Sequence, residues 1–209
     1  MKSLFAFALV VVMATRIFSQ PLNGSYTIGG NTPDFITLQD AANALKLNGV
    51  SGPVNFNIRP GTYMKDNGAT SVMILDSIIT GSSSINRITF QPDAASGGNV
   101  NNIILKVDFN NSSLYYEKQI VKVQIDYVTI RNLTFVDADS LDTPASYLIR
   151  IQFQYFINPT VDDIIIDGCK FIGSPHYIQG QQYGTNYGIY SDNLATASVT
   201  NSKFSNLNR

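Results

Sequence analysis

Val54, Phe56 and Ile58 alternate with Asn55, Asn57 and Arg59. Such a run reads as a half-buried β-strand, because successive side chains of an extended chain point to opposite faces. Pro60-Gly61-Thr62 ends it. Ahead of it, Asn23 to Gly30 reads as a short strand bounded by turn residues. Between the two the period changes to a helical one. Leu38, Ala41, Ala42 and Leu45 share one face, Thr37 stands at the N-cap with Asp40 three residues on, and Gly49 stands where a left-handed C-terminal residue belongs. Gly52-Pro53 then breaks the direction of the chain. Val72 to Leu75, Arg87 to Pro92 and Asn102 to Val107 read as further strands, the last two around a Gly97-Gly98 loop.

Beyond these the chain repeats. Tyr127 to Phe135, Asp163 to Phe171 and Thr196 to Phe204 are copies of one motif, separated by loops of changing length. In that motif Ile130, Ile166 and Val199 are expected to point inward. Asn132, Gly168 and Asn201, two positions on, keep the inward parity and mark a turn, since Asn and Gly tolerate left-handed backbone angles and stacked inward amides can satisfy one another. Phe135, Phe171 and Phe204 open the next strand and are expected to stack in the interior, about 4.8 Å apart. Arg131 and Asp167 fall side by side on the outer face, an exposed pair worth at most about 1 kcal/mol. The predicted fold class is therefore all-β, a right-handed parallel β-helix (solenoid) with an N-terminal capping helix. A β-sandwich would account for the strand spacing, but not for a turn residue fixed at one place in three successive units.

The organisation read from the chain has three parts. Residues 1–20 read as an export signal, with Lys2, an apolar run from Leu4 to Ala14 and the small Ser19 near the cleavage point, though Arg16 is atypical there. Residues 21–53 form the N-terminal strand and capping helix. Residues 54–209 form the β-helix units, which end without a visible cap, as an incomplete N-terminal fragment would. The apolar run is short for a spanning helix, so no membrane association is expected after signal cleavage, and the chain is read as secreted or displayed at the cell surface. Charged residues make up only 14% of the 209, with 14 basic against 15 acidic side chains, so no field exists to hold nucleic acid. Cys169 is the only cysteine, which excludes an internal disulfide and leaves stability to burial.

Three stretches resemble the secreted right-handed β-helix proteins of the pectin-lyase-like superfamily. Phe35-Ile36-Thr37-Leu38-Gln39-Asp40-Ala41-Ala42 is similar to that family's capping helix, and Val54 to Tyr63 to its first strand and Pro-Gly-Thr-Tyr turn. The Ile-x-Asn-x-x-Phe units are similar to its coils. The opening most resembles large bacterial cell-surface proteins. The resemblance implies an elongated scaffold that handles polysaccharide. Pectin methylesterases usually follow this turn with Glu, where Met64-Lys65-Asp66 stands here, and their later catalytic motifs have no match in the chain.

Candidate chemistry is sparse, and no complete catalytic constellation is visible. Asp162-Asp163, close to a stacked Asp126, would suit a shared calcium ion, but turn capping explains the same residues and is preferred, so no cofactor or metal is assigned. Arg150 is the candidate contact for an acidic sugar, and His176, in a Gly-Ser-Pro-His-Tyr loop, is the only histidine. Between Tyr177 and Tyr190 aromatic rings interleave with amides, which makes Tyr177, Tyr183, Tyr187 and Tyr190 candidate glycan-binding residues. Glycan binding or cell-surface adhesion is therefore the leading expectation, with polysaccharide or a surface glycan as partner. A lyase or esterase with its catalytic units outside this chain is the first alternative, and a structural stalk the second. Oligomeric state is not legible in the sequence.

Overall fold

The computed structural model describes residues 20–65, 69–107, 119–138, 147–152, 160–173, 187–191 and 195–207. The export-signal reading concerns residues almost wholly outside that set. No helix among the described residues is long and apolar enough to cross a membrane.

Chain order is β1 (Leu22–Ile28), α1 (Leu38–Asn48), β2 (Val50–Ile58), β3 (Gly61–Met64), β4 (Met73–Leu75), β5 (Ile88–Pro92), β6 (Ile103–Val107) and β7 (Gln119–Val123). It continues through β8 (Val128–Arg131), β9 (Thr134–Asp137), β10 (Tyr147–Ile151), β11 (Val161–Asp167), β12 (Lys170–Ile172), β13 (Tyr187–Ser191), β14 (Ala195–Thr200) and β15 (Lys203–Ser205). The structure is dominated by β-strands, in three sheets whose pairings are all parallel. The first sheet runs β1-β2-β5-β8-β11-β14, the second β3-β6-β9-β12-β15 and the third β4-β7-β10-β13. From β2 onward the chain visits the three sheets in rotation.

The register turns alternation along each strand into columns across strands. Phe56, Phe90, Ile130 and Ile166 follow one another in the first sheet and are all buried. Leu105, Phe135 and Phe171 do the same in the second, and in the third Val121 is followed by Ile149 and Val123 by Ile151. Phe135 and Phe171 stack with centroids 5.1 Å apart, and Phe56 and Phe90 at 4.9 Å. Ring stacking here follows from the strand spacing, because identical residues in register are held one strand width apart. Val199 and Phe204 keep this register, and Phe204 stacks 4.8 Å from Phe171. They are nevertheless 43% and 49% exposed, because β14 and β15 are the last strands of their sheets among the described residues. Their expected place in a covered core is corrected accordingly.

The corner column differs from its sequence reading. Asn132, Gly168 and Asn201 all have positive φ (55°, 64° and 50°), which is why Asn and Gly stand there. They do not point inward: Asn132 and Asn201 are exposed. The left-handed residue swings the chain through the corner and breaks the two-residue parity, so the next residue, Leu133 or Cys169, enters the core instead. Arg131 and Asp167 are register neighbours, as expected, and the guanidinium helps to lower the carboxyl's pKa, but each makes its short hydrogen bonds elsewhere. Arg131 donates through Nε to Gln91 Oε1 at 2.8 Å, while Asp167 accepts from Thr200 Oγ1 at 2.7 Å and Asn201 Nδ2 at 2.8 Å. Those two bonds, Thr200's first, hold the Asp167 carboxyl below its ordinary pKa.

Helix α1 covers one end of the sheets. Thr37 and Asp40 form a reciprocal capping box, and Leu38, Ala41, Ala42 and Leu45 are buried, with the helix packed chiefly on β4 and β1. Gly49 ends the helix with φ 66° and ψ −165°, so it is an extended turn with positive φ and not the left-handed residue expected. Tyr63, from the Pro-Gly-Thr-Tyr turn, donates its hydroxyl to Arg59 O at 2.7 Å and locks the turn under β1.

Candidate functional site

Parallel pairing places residues of equal strand position side by side, and in the third sheet this gathers aromatic and basic side chains. Tyr147 and Tyr187 open β10 and β13 at the same register, and their rings stack with centroids 5.4 Å apart at 26°. Arg150 is paired with Tyr190 on one side and Lys122 on the other. The Tyr190 ring lies 4.9 Å from that of Tyr147 and meets Tyr187 edge-on at 6.0 Å. The Arg150 guanidinium carbon lies 5.3 Å from the Tyr147 centroid, within cation–π range. All five side chains are half-buried.

Of the candidates read from the sequence, Arg150, Tyr187 and Tyr190 thus share one cluster. His176, Tyr177 and Tyr183 lie outside the described residues. Sequence reading missed Tyr147 and Lys122. The signal for both was positional: each opens or occupies a strand of the same sheet, but their neighbours are about a unit away along the chain, so only the register unites them. Chemically, rings offer flat apolar faces to the C–H faces of sugars, and the two cations can meet a carboxylate.

The aspartate corner is organised by capping. Asp126 Oδ1 accepts from Asp162 N at 2.9 Å, Asp162 Oδ1 from Thr196 Oγ1 at 2.9 Å, and Asp163 forms an ion pair with Arg87. Asp192 lies outside the described residues. Among those described, no three acidic, histidine or cysteine side chains gather as metal ligands do. Cys169 is fully buried, with Sγ 3.6 Å from Ile130 O, and burial pushes its thiol up to about 11. That leaves it protonated and poorly nucleophilic at neutral pH.

Comparison with known proteins returned no matching family model, no matching curated protein and no matching solved structure.

Proposed function

We propose that this chain is a secreted, right-handed parallel β-helix of the pectin-lyase-like type, presenting a glycan-binding surface on its third sheet for cell-surface adhesion. The rotation of strands through three parallel sheets, the left-handed corner column and the helix over one end support the architecture. The observation that carries the function is the cluster of Tyr147, Tyr187 and Tyr190 with Arg150 and Lys122. Half-buried rings fixed by strand register are pre-organised, so a sugar docking on them finds its platform already ordered. The paired cations favour a glycan with acidic residues over a neutral one.

A glycan array and a depolymerisation assay on the full chain and on a Tyr187→Ala/Tyr190→Ala variant test this. Binding without turnover that weakens about tenfold or more in the variant is the expected result. Unsaturated or de-esterified products would instead establish an enzyme. Silence on every glycan would leave a structural stalk.

A further inference from the structure

A second surface lies away from the tyrosine cluster, at the end of the molecule that α1 covers. The three sheets end there in β1, β3 and β4. The backbone of Phe35 bonds along β1, and Gln39 Oε1 accepts from Ile74 N of β4. The outer edge of β3 has no such cover among the described residues. Gly61 N donates to Asn102 O at 2.8 Å, and Gly61 and Tyr63 stand opposite Ile103 and Leu105 of β6. In a parallel ladder the N–H and C=O of one residue serve one neighbouring strand, and those of the next residue serve the other side. Thr62 and Met64, roughly 6.6 Å apart at two strand rises, therefore turn their N–H and C=O away from β6. These groups meet no hydrogen-bond partner among the described residues.

Opposite this edge runs the segment that enters α1, and between the two lies a groove of about 320 Å³. Its walls include Leu38, Pro60 and Val72 together with Ile36 and Met64, which are 75% and 55% exposed. No charged side chain lines it. Both sides are held in place. The Tyr63 hydroxyl, 2.7 Å from Arg59 O and 3.2 Å from Ile28 O, anchors β3, and the Thr37–Asp40 box fixes the facing segment.

We infer that this groove is a docking site for an extended, uncharged segment of a partner protein, which joins the second sheet as one more strand beside β3. Two donors and two acceptors at alternate residues match the edge of an extended chain, and the other edge of β3 already holds β6 in this way. The apolar walls and the absence of charge select apolar side chains on the face turned toward them. Because the edge is already ordered, little freedom is lost at the site on binding. The site uses no residue of the tyrosine cluster and no glycan, so it stands or falls apart from the proposed function.

The test is fluorescence anisotropy of a labelled, end-capped Val-Thr-Val-Thr-Val peptide titrated with the full chain. Two further versions carry N-methyl groups, one on its valines and one on its threonines, so that each lacks the N–H groups of one edge. One version is expected to bind about tenfold or more weakly and the other to bind as the parent does. Lysine or glutamate in place of the central valine should weaken binding comparably. Thr62→Pro removes a groove-facing N–H that β6 does not use, and should also weaken the parent peptide, with an unchanged unfolding midpoint showing that it folds. Should that variant unfold, the methylated peptides decide, since they leave the protein unaltered. No binding of the parent, equal affinity of the two methylated versions, or undiminished binding by folded Thr62→Pro would overturn the site. A concentration-dependent dimer that the peptide dissolves would give the edge to a second copy of this chain and overturn its assignment to a partner.

Discussion

Asp34 lies beside the outer edge of β1 and accepts hydrogen bonds there from Thr27 N at 2.7 Å and Thr27 Oγ1 at 2.8 Å. The backbone bond, then the hydroxyl bond, lower its pKa below the ordinary 3.8. Because the folded value is depressed, this contribution to stability is complete above the unfolded pKa and is lost as pH falls through the folded one. Asp34→Asn should therefore lower the unfolding free energy measured by urea titration at pH 7, by on the order of 1 kcal/mol or less for so exposed a group. The gap between the two proteins should narrow as the titration is repeated at successively lower pH below the ordinary 3.8; a gap that stays constant down the acid range would assign the effect to shape and not to charge. Residues of this kind were only partly legible beforehand. The Thr37–Asp40 box could be read because both partners lie within one helical turn, whereas Thr27 and Asp34 meet only through the fold of the intervening loop.

At the scale of elements, the ends of the sheets are covered by specific devices. The segment after β1 returns along it, with Phe35 N donating to Thr27 O and Gly29 N to Phe35 O, both at 3.0 Å. Gln39 of α1 offers Oε1 to Ile74 N of β4 at 2.8 Å. An exposed edge is a template for unwanted pairing, and both are shielded at this end. Gly49 joins the helix to β2, and a Cβ built there would lie 2.6 Å from Thr80 O. With φ at 66° as well, Gly49→Ala should destabilise by more than about 1 kcal/mol, checked by thermal or urea unfolding; a neutral result would show that the 79–82 turn yields easily. The helix and the core columns of Ile130 and Phe135 could be read from periodicity. The direction of Asn132 could not, because a period of two holds only while the backbone stays extended, and the left-handed residue itself ends that condition. The tyrosine cluster depends on pairing between segments distant in the chain, as do the hydrogen bonds from Arg131 to Gln91 and from Gln91 to Asn57 across the first sheet, and local pattern encodes neither.

On the scale of the whole molecule, each interior strand of a sheet pairs with the strand before it and the strand after it in that sheet, so stability is built from neighbouring interfaces. Phe204→Ala, in the half-exposed last position of its column, should therefore loosen β14 and β15 while leaving β2 and β5 intact. Amide hydrogen exchange would show faster exchange confined to those last strands; uniform loss of protection would mean that the molecule opens as one body. Phe171→Ala, fully buried, should cost more, about 3–5 kcal/mol. The rotation through three sheets also decides how the chain answers to force. Backbone hydrogen bonds between strands join one unit to the next along the stack, so tension between the two ends peels the outermost strand before the one beneath it feels the load. Stretched from end to end, a chain built this way should lengthen in short steps, strand by strand, and not in one abrupt extension.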